Sequence, residues 1–148
     1  MKVSLLFLAF LAFSCISCNP KNSKDENTLA SIKDTKVLQY AIEGKTLYEN
    51  YCANCHQKDG KGLGKLIPPL FESDYMNEDI GRTAKIIKYG QSGEIVVNGQ
   101  VYNENMPANG QLTNMEIARI MTYIYNIWGN EEGVIDANKV EYFLKQEN

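Results

Sequence analysis

The residues best equipped for chemistry are gathered in one short run, Cys52-Ala53-Asn54-Cys55-His56, a C-x-x-C-H pattern. On a helical turn, two thiols three residues apart can each add to one of the two vinyl groups along a haem edge. The next side chain, His56, is then directed beneath the iron, where a neutral imidazole binds as the proximal ligand. Covalent attachment keeps a mobile protein from losing its cofactor to dilution. Three other chemistries use similar residues. Zinc normally needs four ligands; here there are three, His56 is the only histidine of the chain and there is no second C-x-x-C. A thioredoxin-like dithiol opens a helix after a strand, whereas this motif closes one. A structural disulfide between Cys52 and Cys55 leaves His56 without a role and the Gly-rich stretch after it unexplained.

The sixth position on a haem iron decides between electron transfer and gas binding. No second histidine is available, so methionine is the remaining strong candidate. Met115 and Met121 fall within a helical pattern, Met76 near the start of another, and Met1 would leave with the leader. Met106 stands in a long loop 50 residues after His56, far enough for the chain to pass around a haem. Pro107 biases Met106 towards an extended conformation. Met106 is therefore the candidate sixth ligand rather than filler.

Helical spacing accounts for the elements that must hold these groups. Between residues 41 and 55, Gly44, Leu47, Tyr48, Tyr51, Cys52 and Cys55 recur at steps of three and four, which predicts a helix with both cysteines facing inward. A second helix is predicted from Asn77 as N-cap to Gly90 as C-terminal stop. The third runs from Thr113 to Gly129, opened by the capping box Thr113-Asn114-Met115-Glu116 and by a Leu112/Ile117 staple. Ile117, Ile120, Met121, Ile124, Ile127 and Trp128 are its buried stripe, so Trp128 is a core residue before it is anything else. A last short helix follows Asp136, stapled by Ile135 and Val140, and covers an edge of the core. The loop 91–110 is long enough to have a task; within it, residues 95–97 alternate weakly as one short strand, too little for a sheet. No repeat is present, and the fold class is all-α.

The chain has 148 residues and a formal charge of -3, so it offers one domain and no basic surface for nucleic acid. Loss of Lys2 with a leader takes the charge to -4, and two haem propionates would take it to roughly -6, which favours pairing with a basic patch on a partner. Val3 to Phe13 is an apolar run of 11 residues, too short to span a bilayer and suited to a signal peptide over 1–18. Phe13-Ser14-Cys15-Ile16-Ser17-Cys18 resembles a bacterial lipoprotein cleavage box in which Cys15 or Cys18 would be lipidated. Cys15 fits slightly better, because Ala12 stands where the box wants a small or aliphatic residue. Residues 19–40 are polar and charged, as a flexible tether would be, leaving 41–148 as the domain. The expectation is an exported protein, in the bacterial periplasm or at the cell surface, anchored to a membrane by lipid.

From about Ala41 onward the chain resembles class I c-type cytochromes. The landmarks are Gly44 and Tyr48, the Cys52 to His56 run, Asp59-Gly60-Lys61-Gly62, Pro68-Pro69-Leu70, Met106-Pro107 and Tyr123, in that order. The resemblance implies three to five helices wrapped around one haem c, and a one-electron carrier rather than an enzyme. It implies that Gly44 and Tyr48 cross the last long helix at Tyr123, that the Pro68 carbonyl accepts a hydrogen bond from His56, and that Leu70 lines the haem pocket. Residues 97–103 resemble a branch found as free carriers and as domains of oxidases, nitrite reductases and dehydrogenases. Partners would then be redox proteins that dock transiently. Gly60, Gly62 and Gly64 lack Walker spacing and read as turns passing close to the haem edge, while Lys58, Lys61 and Lys65 are either a docking patch or a solvated loop.

Overall fold

A computed structural model describes residues 28–128 and 130–146. The expected signal peptide and the first part of the expected tether, 1–27, lie outside the described residues. Among the described residues, no helix is long and apolar enough to cross a membrane.

Helix α1 spans Thr35–Tyr51 because the Asp34 carboxylate accepts from the backbone N–H groups of Lys36 and Val37. The tether expected over 19–40 thus gives way to helix well before Ala41. Ahead of α1, a 3-10 turn at Leu29–Ser31 lays Leu29 and Ile32 against the core. The helix expected over 41–55 breaks at Cys52, whose backbone (φ -121, ψ -39) separates α1 from the single turn α2, Ala53–His56. The expected second helix is also two pieces, α3 (Asp74–Glu78) and α4 (Ile80–Tyr89). Ser73 and Asp79 each cap one of them, so Asn77 lies inside α3 rather than at an N-cap. Gly90 ends α4 as expected, at φ 84.

Residues 95–97 find a partner. Strands β1 (Ile95–Val97) and β2 (Gln100–Tyr102) pair antiparallel, with Val96 opposite Val101. Asn98 and Gly99 turn the hairpin at φ 51 and φ 76, the left-handed pair that Asn-Gly supplies at little cost. Asp74 and Asn98 exchange side-chain to backbone hydrogen bonds of 2.7 and 3.0 Å, fixing the hairpin to α3.

Helix α5, Asn114–Ile124, carries the complete Thr113/Glu116 capping box. It stops short of Gly129 because the chain beyond it is recruited elsewhere. The Asn126 side chain binds both the N–H and the C=O of Gly133 at 2.7 Å. The Tyr125 hydroxyl donates to the Met76 carbonyl at 2.6 Å. Helix α6 (Ala137–Lys145) then packs across α4 and α5, with Ile135 and Val140 fully buried. Among the described residues, six α-helical segments, two of them single turns, therefore enclose the core with one hairpin at its side.

The core centres on the α1–α5 crossing. A Cβ on Gly44 would lie 2.0 Å from the Arg119 carbonyl oxygen and 2.9 Å from Tyr123 Cβ, so only glycine permits this approach. Tyr48 and Tyr123 meet there with ring centroids 5.4 Å apart.

Candidate functional site

The break at Cys52 builds the site. Cys52 N–H closes α1 on the Tyr48 carbonyl at 2.8 Å, while the Cys52 carbonyl accepts from both Cys55 N (3.1 Å) and His56 N (2.9 Å). This turn brings Cys52, Cys55 and His56 to the wall of one cleft, which encloses about 1160 Å³ including its open mouth. Cys52 is buried and Cys55 is exposed, and both line the cleft.

Both thiols are free. Burial, and then the neighbouring Cys55, push the Cys52 thiol up to about 12. A thiol that attacks works from a depressed value, so Cys52 is not suited to be the nucleophile of a thioredoxin-like dithiol. Among the described residues, no group of three or more His, Cys, Asp or Glu stands where it could share a metal ion.

His56 is 7% exposed, and its Nδ1 lies 3.1 Å from the Pro68 carbonyl oxygen. Burial holds the ring below its ordinary value, with the Pro68 bond opposing in part, so the imidazole is neutral at neutral pH. With the Nδ1 proton donated to Pro68, the lone pair belongs to Nε2, the state a metal needs. Gly62 makes this possible. At φ +67, its missing Cβ would otherwise lie 2.2 Å from the Ile67 carbonyl oxygen and 2.7 Å from that of Pro68. Gly60 plays the same part towards Trp128, where a Cβ would strike the indole at 2.3 Å. These two glycines thus clear space for Pro68 and Trp128, and the Gly60 carbonyl accepts from Leu70 N and Phe71 N to close the loop.

Met106 lines the same cleft from the far end of the long loop. Its N–H and C=O form a two-bond bridge with Gln91, both 2.9 Å, directly after Gly90 ends α4. Lys88 Nζ donates to the carbonyls of Gly110 and Leu112, clamping the loop's return. Pro68 and Leu70 line the cleft as well. So does Met76, which is 4% exposed; the sequence had placed it only near a helix start. Also unforeseen is the wall of Ile95, Val97 and Tyr102 from the hairpin, tied to the loop by the Tyr102 hydroxyl donating to the Gly64 carbonyl at 3.4 Å. Asn98-Gly99 between alternating residues was the signal that could have revealed it.

A broad cleft with mainly apolar walls, two thiols at one side, one neutral imidazole and two thioethers fits a flat apolar macrocycle carrying a metal. Comparison with known proteins agrees. Residues 41–128 match the model of the Cytochrome c family. Over 105 residues the chain is 35% identical to a cytochrome c-552 of Thermus thermophilus, covering 68% of this chain and 75% of that protein. It is 29% identical over 119 residues to the fructose dehydrogenase cytochrome subunit of Gluconobacter japonicus, and 26% identical over 102 residues to the cytochrome c subunit of a quinone alcohol dehydrogenase of Gluconobacter oxydans. These matches cover 75% and 66% of this chain but only 24% and 21% of the two subunits, so the chain spans a quarter or less of their length.

Proposed function

The chain belongs to the cytochrome c family as a single-haem electron carrier, with haem c bonded covalently through Cys52 and Cys55, and on that premise we propose the roles of its remaining site residues. His56 and Met106 would hold the haem iron, Pro68 would orient the imidazole, and Leu70 would be part of the pocket wall. When bound, the group supplies one electron reversibly between Fe(III) and Fe(II). The protein's own share is positional. The Pro68 carbonyl holds the His56 tautomer, the Gln91 bridge holds the Met106 backbone, and the apolar walls exclude water and favour the less charged oxidation state. With both axial positions taken by side chains, no site is left for a substrate. This reading is carried by one observation: Cys52, Cys55, His56 and, 50 residues further along the chain, Met106 line one cleft.

The test is spectroscopic. Haem should remain with the denatured chain, and the native protein should be six-coordinate and low-spin. Met106→Ala should become high-spin and, when reduced, bind carbon monoxide, whereas Met76→Leu should leave the ligation unchanged. An unaltered spectrum in Met106→Ala would overturn its assignment and turn attention to Met76.

Around this centre we place a signal peptide over 1–18, a lipid on Cys15 or Cys18, and the polar residues 19–27 as the tether, which puts the carrier in the periplasm or at the cell surface. Radiolabelled palmitate incorporated by the wild type, and lost in only one of Cys15→Ala and Cys18→Ala, tests the anchor. Transient docking to redox proteins is the expected mode of exchange. The likeness to two dehydrogenase subunits favours a second reading, a dedicated subunit of a larger complex, and co-purification with a large partner from the native membrane would select it.

A further inference from the structure

A second cleft, enclosing about 1130 Å³ including its open mouth, shares no lining residue with the haem cleft. It forms where the 3-10 turn at Leu29–Ser31 faces the loop after His56, and its apolar side is the half-buried Phe71 with the small exposed edges of the otherwise buried Tyr123 and Trp128. Trp128 is held there at φ +60, a costly conformation for a bulky side chain, with its indole pressed against Gly60. Three lysines, Lys45, Lys58 and Lys61, complete the lining together with Glu49 and Asp59.

The charges are unevenly engaged. Lys61 is 3.9 Å from Asp59 and 5.9 Å from the Phe71 ring centroid. Lys45 and Lys58 are exposed and join no ion pair among the described residues. In a chain of net charge -3, this cleft therefore gathers a local positive excess of one beside three aromatic rings. Flat rings are recognised by aromatic faces and edges, and an attached carboxylate, sulfonate or phosphate by ammonium groups. A polyanion would meet Glu49 and Asp59 unfavourably, so a single negative charge suits the rim best.

We propose that this cleft binds a planar aromatic molecule carrying one negative charge. Its position gives the binding a consequence for the carrier. Trp128 stands edge-on to Tyr48 with centroids 6.0 Å apart, and Tyr48 lines the haem cleft. One layer of aromatic side chains thus separates the two clefts.

The test is calorimetric titration of the haem-loaded protein with anthraquinone-2-sulfonate at low salt. Saturable one-to-one binding is expected, weakened about fivefold in Lys45→Gln/Lys58→Gln and unchanged in Lys139→Gln/Lys145→Gln, whose lysines lie on α6. No saturable heat would overturn the proposal, as would an unchanged affinity in the first variant. Equal weakening in both variants would overturn it too, by showing attraction to overall charge. Visible spectra of every sample report the haem site separately, so failure of that site and failure of the cleft are read by different measurements.

Discussion

Replacing Gly44 with alanine sets two opposing effects against each other. Within α1, alanine is favoured over glycine by about 1 kcal/mol of helix propensity. Against this, the new Cβ would stand 2.0 Å from the Arg119 carbonyl oxygen, about 1.4 Å inside ordinary contact at 3.4 Å, and 2.6 Å from the carbonyl carbon. Backbone atoms cannot rotate away, so α1 and α5 must separate. A gap of about 1 Å already forfeits between a quarter and a half of the dispersion energy across a packed surface. The surface involved is the centre of the core, where Ala41, Tyr48 and Ile120 are 1% exposed or less. Overpacking of this kind costs about 1–3 kcal/mol where side chains can adjust, and the rigid obstacle puts this site at or beyond the upper end. The net expectation for Gly44→Ala is a loss of about 2–4 kcal/mol. Guanidinium unfolding of the haem-loaded protein, followed by far-ultraviolet circular dichroism, should place the midpoint lower by about 0.5–1 M for a slope of about 4 kcal/mol/M. A midpoint equal to or above that of the wild type would refute the reasoning, because helix propensity would then outweigh the crossing.

Three further outcomes can be measured. Gly62→Ala should push the Pro68 carbonyl away from His56 Nδ1, making the imidazole a less basic ligand, so redox titration should find a more positive midpoint potential; an unchanged potential in a folded variant would count against the role given to Pro68. Thr122→Val removes the hydroxyl that donates to the Ile135 carbonyl and accepts from its N–H, at 3.1 and 3.0 Å; leaving both groups unpaired at a fully buried residue should cost about 2–4 kcal/mol in chemical unfolding, with Thr122→Ser close to wild type. Hydrogen bonds from the Thr113 backbone, then its hydroxyl, hold the Glu116 carboxyl below its ordinary 4.5. Its contribution to stability is present above that value and fades as pH falls through the lower folded one, so Glu116→Gln should be less stable than wild type at neutral pH, with the difference vanishing well below pH 4.5.

What could be read along the chain was whatever local spacing specifies. The attachment motif, the Thr113 capping box, the Ile135/Val140 staple and the Gly90 stop all involve residues within one or two turns of each other, and each stands as expected. The boundary misplaced at the end of α5 has a tertiary cause. The hydrophobic stripe continues through Tyr125 to Trp128, but hydrogen bonds from Tyr125 to Met76 and from Asn126 to Gly133 end the helix there. A period shows which face is buried without showing where a remote carbonyl competes for the backbone. Family likeness pointed to Gly44, Tyr48, Tyr123 and Pro68, and the packing supplies the physical reason for each.

The sequence by itself determined that one haem is attached, and where, because two thiols and an imidazole on a single turn need no other part of the fold to be neighbours. Tertiary structure alone decided that Met106 and Met76 line the same cleft, that the hairpin closes one wall, and that a strained Trp128 divides this cleft from a second one. Those relations join residues tens of positions apart, and they exist only once α1 and α5 have closed on each other across Gly44.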